Sequence, residues 1–364
     1  MKIAFYGSSL LSSYWNGAAT YYRGILRALA YRGYQITFFE PDAYDRQKHR
    51  DIEDPEWARI VVYNAGDSAQ VEHYLAQSSS ADVVVKASGV GVLDEFLERR
   101  VAAIPVSVCK VFWDVDAPAT LAELGRSPDH PLHRALPSLD IVLTYGGGPP
   151  VVRDYEAFGA HACVPIYNAL DPSTHFPVAP EPRFEADLAF LGNRLPDREV
   201  RVDAFFLDPA ARLPERSFLI GGSGWESKAM PPNVGALGHL GTGDHNAFNA
   251  TPLAVLNVAR DSMAANGFSP ATRVFEAAGA AACIITDAWK GIELFLTPGT
   301  EVLVARDGAD IVDHMSALTR ERAQAIGAAA RARILSEHTY AHRGAEVDKI
   351  LRSLFSQKRE RRLA

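Results

Sequence analysis

Short apolar runs alternate with helix-patterned stretches along most of this chain, and that alternation leaves few folds open. Lys2–Gly7 reads as a buried strand. Tyr21, Tyr22, Ile25, Leu26 and Leu29 mark one face of a helix that Gly33 closes, and Gln35–Glu40 is the next strand. A strand–helix–strand unit of this kind needs a parallel sheet. Further strands are expected at Arg59–Tyr63, Asp82–Lys86, Val106–Phe112, Ile141–Tyr145 and Ala162–Ile166. Helical stretches at Ser68–Gln77, Leu93–Arg100, Thr120–Gly125 and Val151–Phe158 fall between most of them. Asp171–Pro182 is rich in proline, lacks periodicity and reads as an interdomain linker. A second series follows, with strands at Asp187–Leu191, Phe218–Gly221, Ala254–Val258, Cys283–Thr286 and Glu301–Ala305 and a helix near Glu199–Phe206. The expectation is an α/β chain of two Rossmann-like, doubly wound parallel sheets, with ligands at the carboxyl ends of the strands. At 364 residues the chain is long enough for two domains. The boundaries read as 1–178 and 179–335, with 336–364 a helix returning to the first domain. Glu321–Leu354 looks almost continuously helical, with Tyr340, Val347, Ile350, Leu351 and Leu354 on its apolar face.

Charge and cysteine usage exclude several classes of function. The net charge is −7, and no face rich in Lys and Arg is visible before the end of the chain. Nucleic acid is therefore not an expected partner, because phosphate neutralisation drives such binding. Met1–Gly7 is a strand and not a signal peptide, and no apolar run nears the ~20 residues needed to cross a bilayer. A cytoplasmic protein is expected, with the basic tail Lys358–Arg362 read as a solvated helix end and weak peripheral contact with anionic lipid as its alternative. Cys109, Cys163 and Cys283 sit in apolar, strand-like surroundings without ligand spacing, so buried reduced thiols are expected and no metal site.

The stretch Asn257–Asp287 carries the clearest chemistry. Between Asp261 and Asp287 its only charged residues are Arg273 and Glu276. Ser269 suits an N-cap and Pro270 the first helical position, which predicts a helix starting there. Val274, Phe275, Ala277, Ala278 and Gly279 leave that helix no polar stripe, so it is expected to be buried. Its N-terminal amides and dipole offer a seat for phosphate, Arg273 a charged clamp on the anion, and Glu276 an acceptor for ribose hydroxyls. Arg273 and Glu276 can instead pair with each other three residues apart. A buried pair gains little against its desolvation, which favours the ligand reading.

Other strand ends supply further candidates. The loop Tyr14–Thr20, with Asn16 and Gly17, precedes a helix but lacks the Gly-x-Gly-x-x-Gly fingerprint of a dinucleotide site. Glu40 reads as a plain strand-end acid. Asp114 and Asp116 emerge from a strand two residues apart, so one can act as a base and the other orient it, while one is also placed to cap the helix near Pro118. Gly192–Arg198 supplies Arg194 and Arg198, Gly221–Trp225 brings Gly222, and Arg260 ends the strand leading into the cradle. Gly238–Gly241 is a candidate seat for the base, whereas His239 and His245 read as polar surface residues.

Taken together, Phe112-Trp-Asp-Val-Asp-Ala-Pro118, Phe190-Leu-Gly-Asn193 with Arg198, Leu256-Asn257 with Arg260, Thr272-Arg-Val-Phe-Glu-Ala277, Ile285-Thr-Asp287 and His338-Thr-Tyr340 with Arg343 resemble the GT-B glycosyltransferases, and within them the CgeB-like (spore maturation protein) group. The resemblance implies two domains facing a cleft and transfer of a sugar from a nucleotide-diphospho-sugar to an acceptor hydroxyl. The acceptor would be a glycan, lipid, small molecule or protein, with no metal or other cofactor. It implies that Glu276 holds the ribose and that Ser269, Thr272 and Arg273 hold the diphosphate. Arg194 or Arg198 would stabilise the departing nucleotide, and Gly17 would face donor and acceptor. Asp114 or Asp116 would deprotonate the acceptor if the reaction inverts. Better-known retaining families place a second Glu eight positions before the ribose Glu, where this chain has Phe268. Competing expectations are a nucleotide-sugar 2-epimerase, a non-catalytic nucleotide-sugar-binding protein and, third, a nicotinamide-dependent oxidoreductase.

Overall fold

A computed structural model describes residues 1–363, with side chains at all of these but 197, 262 and 361–363. The chain forms two compact units, one of Met1–Tyr167 together with the segment from Tyr340 onward, the other of Asn168–Thr339.

In the first unit the strands are β1 (Lys2–Tyr6), β2 (Gln35–Asp42), β3 (Ala58–Asn64), β4 (Val83–Ala87), β5 (Cys109–Asp114), β6 (Ile141–Thr144) and β7 (Cys163–Pro165). They form one parallel sheet in the order β3-β2-β1-β4-β5-β6-β7. Phe5 registers with Phe38 on one side and Val85 on the other, so the central strands are apolar on both faces, as a sheet covered on both sides requires. On one face Tyr6, Phe112, Val142, Val151 and Tyr155 share a core; on the other Phe5 stacks on Phe38 with ring centres 5.1 Å apart. The closing helix Tyr340–Leu363 packs on the helix Ala19–Ala30. Two glycines permit that contact, since a Cβ on Gly24 would lie 2.4 Å from the Tyr340 ring and one on Gly344 2.7 Å from the Ala28 Cβ.

The second unit repeats the plan with β8 (Leu188–Leu191), β9 (Phe218–Gly221), β10 (Val234–Ala236), β11 (Ala254–Asn257), β12 (Ile284–Asp287) and β13 (Leu303–Ala305). The parallel order is β10-β9-β8-β11-β12-β13. In each sheet the winding direction reverses once, at β1/β4 and at β8/β11, and a crevice opens there beyond the carboxyl ends of the strands.

Three sequence expectations change. The long terminal helix is two, Arg320–Glu337 and Tyr340–Leu363, because the His338 carbonyl accepts the Leu170 N–H at 2.8 Å and Thr339 bridges to Leu170. The proline-rich run begins as part of the second unit: Asn246 Nδ2 donates to the Thr174 carbonyl at 2.9 Å, and the Phe176 N–H donates to Asn246 Oδ1 at 3.3 Å. In the basic tail, Lys358 is tied to Asp140 at 2.9 Å and to the Val106 carbonyl at 2.7 Å; the side chains of Arg361 and Arg362 lie outside the described residues. The three cysteines are buried and unpaired. No described helix is long and apolar enough to cross a membrane.

Candidate active site

The second unit concentrates cations at its β8/β11 crevice. Its cradle helix spans Thr272–Gly279 and buries Val274, Phe275, Ala277, Ala278 and Gly279. It begins three residues beyond Ser269, with Ala271 in the capping position and no side-chain cap. The Ser269 hydroxyl turns back to the Gly267 carbonyl at 3.1 Å. Thr272 opens the helix, its hydroxyl accepting from Asn168 Nδ2 at 2.8 Å. The approach is a left-handed turn at Gly267 (φ 69°) and Phe268 (φ 51°). A Cβ on Gly267 would meet the Lys290 carbonyl oxygen at 2.8 Å, so glycine is required there. Phe268, a bulky residue in a costly conformation, is held by a 2.6 Å bond from its N–H to the same carbonyl and by its ring against Gly291. The position that carries a second Glu in the retaining families is thus an apolar pin for the turn.

Arg273, in the first turn of the helix, lies half-buried with its guanidinium 5.8 Å from the centre of the Phe190 ring. Its Nε is sealed from solvent and has no hydrogen-bond partner among the described residues. Burial, and next the neighbouring Arg198 guanidinium, push Arg273 down to about 10, while Glu276 works in the opposite direction. Arg198 comes from the helix Pro196–Val202 that follows β8, so two like charges from separate elements converge. A cation held beside another cation over an aromatic face is a seat for an anion. The described ion pairs do not join Arg273 to Glu276. Instead Glu276 Oε1 stands 3.8 Å from His175 Nε2, with His245 beside both.

Other predicted donor residues are placed differently. Arg194 forks onto Glu199 through Nε at 2.9 Å and Nη2 at 2.7 Å, and reaches Ser227 Oγ at 3.2 Å, so its charge is spent inside the unit. Gly222 (φ 123°) is a packing requirement: a Cβ there would lie 2.3 Å from the Gly192 carbonyl oxygen, where the β8 and β9 loops cross. Arg260 is exposed at the end of β11, at the capping position of the helix Asp261–Asn266. Asp287, at the end of β12, accepts from Arg201 Nη2 at 2.5 Å and from the Ala259 N–H at 3.1 Å, which ties the crevice wall.

In the first unit the two acids part company. Asp114 is fully buried and accepts from Ser88 Oγ at 2.6 Å, the Asp116 N–H at 2.9 Å, Thr120 Oγ1 at 3.2 Å and the Tyr155 hydroxyl. Burial, then the Asp114 charge, hold the Tyr155 hydroxyl well above its ordinary value, so it stays a donor. With both oxygens taken, Asp114 organises the loop and is not placed as a base or a metal ligand. Asp116 is exposed at the N-cap of the helix Ala117–Arg126, where its side chain makes no capping hydrogen bond. Asn16 is likewise structural, its amide bonded to Ser8, Ser9 and Ser12. Gly17 is exposed with open space around it. Glu40 anchors the same loop, accepting from the Leu10 N–H at 2.6 Å and Ser9 Oγ at 3.0 Å.

Sequence reasoning missed His175 and His245. The first lay in a run read as linker, and no spacing connects it to a residue 70 positions on.

Residues 198–351 match a family model described as glycosyl transferase-like. No curated protein sequence matches. Among solved structures, the chain resembles sucrose-phosphate synthase from Thermosynechococcus elongatus (12% identity, 98% of this chain and 100% of that one, TM-score 0.73). It also resembles Anabaena Alr3699/HepE in complex with UDP and glucose (13%, 97% and 100%, 0.67). A third is T4 phage beta-glucosyltransferase (11%, 98% and 99%, 0.60). The fold is that of the GT-B glycosyltransferases, two Rossmann-like parallel-sheet domains.

Proposed function

We propose that this protein is a glycosyltransferase that moves a sugar from a nucleoside-diphosphate donor to an acceptor hydroxyl. The observation that carries the proposal is the Arg273 guanidinium, desolvated in the first turn of the cradle helix and pressed by Arg198, with Glu276 nearly one turn further on. A diphosphate supplies the missing counter-charge, and a carboxylate at that distance can accept two ribose hydroxyls. Complexes of HepE with UDP and with UDP-glucose, and of the phage enzyme with its UDP-glucose substrate, support a uridine nucleotide. The motif Thr272-Arg-Val-Phe-Glu-Ala277 favours the CgeB-like group within the fold.

Arg273, Arg198, the Thr272 and Arg273 amides and the exposed Arg260 bind and neutralise the diphosphate. As the sugar–oxygen bond breaks, the same groups absorb the charge that develops on the leaving phosphate, already oriented and partly dry. Asp116 takes the proton of the acceptor hydroxyl, and Asp114 fixes the Asp116 backbone through its N–H. Guanidinium groups do the electrostatic work that a metal ion does in other transferases, so transfer is metal-independent. Isothermal titration with UDP tests this: wild type binds, and Glu276→Ala binds at least roughly tenfold more weakly through loss of two charge-assisted hydrogen bonds. Failure of wild type to bind any nucleoside diphosphate, or equal binding by the variant, removes the reading.

A further inference from the structure

His175, His245 and Glu276 converge from three separate elements of the second unit: the segment after Leu170, the helix His245–Ala250 and the cradle helix. One ligating atom from each lies within 4.8 Å of the other two, and the His175 Nε2–Glu276 Oε1 gap is 3.8 Å, too long for a hydrogen bond. A tetrahedral ion with bonds of about 2.0–2.2 Å holds its ligands roughly 3.3–3.6 Å apart, so small side-chain rotations would close the site. Its supports are already present. The His175 Nδ1 is engaged by Thr174 Oγ1 at 2.9 Å and a second bond ties His245 to the Leu240 backbone, which leaves the other ring nitrogen of each to face the cluster. Asn246, next to His245, clasps the backbone on both sides of His175 through Thr174 and Phe176. Beneath them Gly279 lets the His175 backbone lie on the cradle helix, since a Cβ there would meet the His175 carbonyl oxygen at 2.9 Å.

We propose that His175, His245 and Glu276 form a three-ligand site for a divalent transition-metal ion of the zinc type, with one coordination position left for water. The site is separate from the transfer chemistry, yet it uses the carboxylate assigned above to the ribose. Ion and nucleotide therefore exclude each other, and the ion acts as a brake on donor binding.

The test uses the full chain, stripped with chelator and titrated calorimetrically with zinc alone, so that its outcome does not depend on any nucleotide. One ion per chain is expected, with at least roughly tenfold weaker binding in His175→Ala and in His245→Ala. Cobalt substitution supplies a second readout on unaltered protein: the visible spectrum of a tetrahedral nitrogen–oxygen site, without the thiolate bands that the buried cysteines would give. Zinc should weaken UDP binding to wild type and leave that of His175→Ala unaffected. Zinc binding unchanged in the two histidine variants, or a cobalt spectrum of an octahedral or thiolate site, overturns the proposal. If zinc binds as described and UDP does not bind at all, the ion site stands and the nucleotide reading falls.

Discussion

Replacing Arg273 by methionine separates its cost to the fold from its value to a ligand. Methionine keeps a flexible stem of similar reach over Phe190 and removes the charge. The guanidinium is pushed down to about 10, well below its ordinary value, with burial first and Arg198 second among the causes. At roughly 1.4 kcal/mol per unit, that fall corresponds to an upper bound of about 3 kcal/mol against the charged form, of which solvent at this half-buried site screens a part. The sign is definite. A cation whose folded value is depressed destabilises the fold throughout the range below that value, so the whole penalty is present at pH 7 and lifts only as pH rises through 10 towards the ordinary guanidinium value. Arg273→Met should therefore be more stable than wild type by about 1 kcal/mol or more. In a unit of the size of Asn168–Thr339, this raises the melting temperature by roughly 2–4 °C. Binding should move the other way. One charge-assisted contact to phosphate contributes about 1.5–3 kcal/mol, so UDP affinity should fall roughly 10- to 150-fold. Differential scanning fluorimetry and isothermal titration on the same preparations read both. A variant that is less stable, or that binds UDP as wild type does, would refute the claim that this charge is held for an anion.

Four further outcomes follow from the geometry. Asp114→Asn should cost about 1–3 kcal/mol, because its amide nitrogen replaces an acceptor oxygen and faces at least one of the donors in a sealed site, whereas Asp116→Asn should leave UDP affinity unchanged and slow transfer about 100- to 10,000-fold. Gly222→Ala, with a Cβ 2.3 Å from a carbonyl oxygen and φ at 123°, should destabilise by roughly 2–4 kcal/mol in a urea melt. Glu199 is drawn down to about 2 by its hydrogen bonds with Arg194 and Lys228; its stabilisation is present above pH 4.5 and lost as pH falls towards 2, so Glu199→Gln should flatten acid unfolding in that window, followed by circular dichroism.

The strands were legible because both sheets are covered on two faces, which forces continuous apolar runs such as Val83–Ala87 and Ile284–Asp287. β10 escaped notice for the same reason in reverse, since Val234–Ala236 is three residues long and partly exposed at a sheet edge. The break between the last two helices also left no local mark. It comes from a bond between His338 and Leu170, residues far apart in sequence, which no periodicity records. At the site, Arg273 and Glu276 stood out as lone charges in an apolar helix. Arg194 and Arg198 looked alike, and only the fork of Arg194 onto Glu199 in three dimensions shows that it is engaged. Asp114 and Asp116 looked like a matched pair, and burial separates them.

The two units share one topology and treat charge at their strand ends in opposite ways. In the first, Lys86 is buried against Asp94 at 2.6 Å and Glu98 at 3.1 Å, Arg46 reaches the Ser8 and Val90 carbonyls, and Glu40 and Asp114 each take several donors. Much of the desolvation there is repaid within the fold, although Arg46 Nε and one Glu98 oxygen stay without a partner among the described residues, and Asp116 is exposed beside this network. In the second, Asp287 is matched by Arg201 and Glu199 by Arg194, but the Arg273 charge has Arg198 beside it and an aromatic face below it, and Glu276 offsets it only in part, without a described ion pair. A fold that compensates so many buried charges yet tolerates this one gains nothing from it in stability. The difference in how charge is matched, rather than the shared topology, is what supports the proposed placement of anion binding in the second unit and of proton transfer in the first.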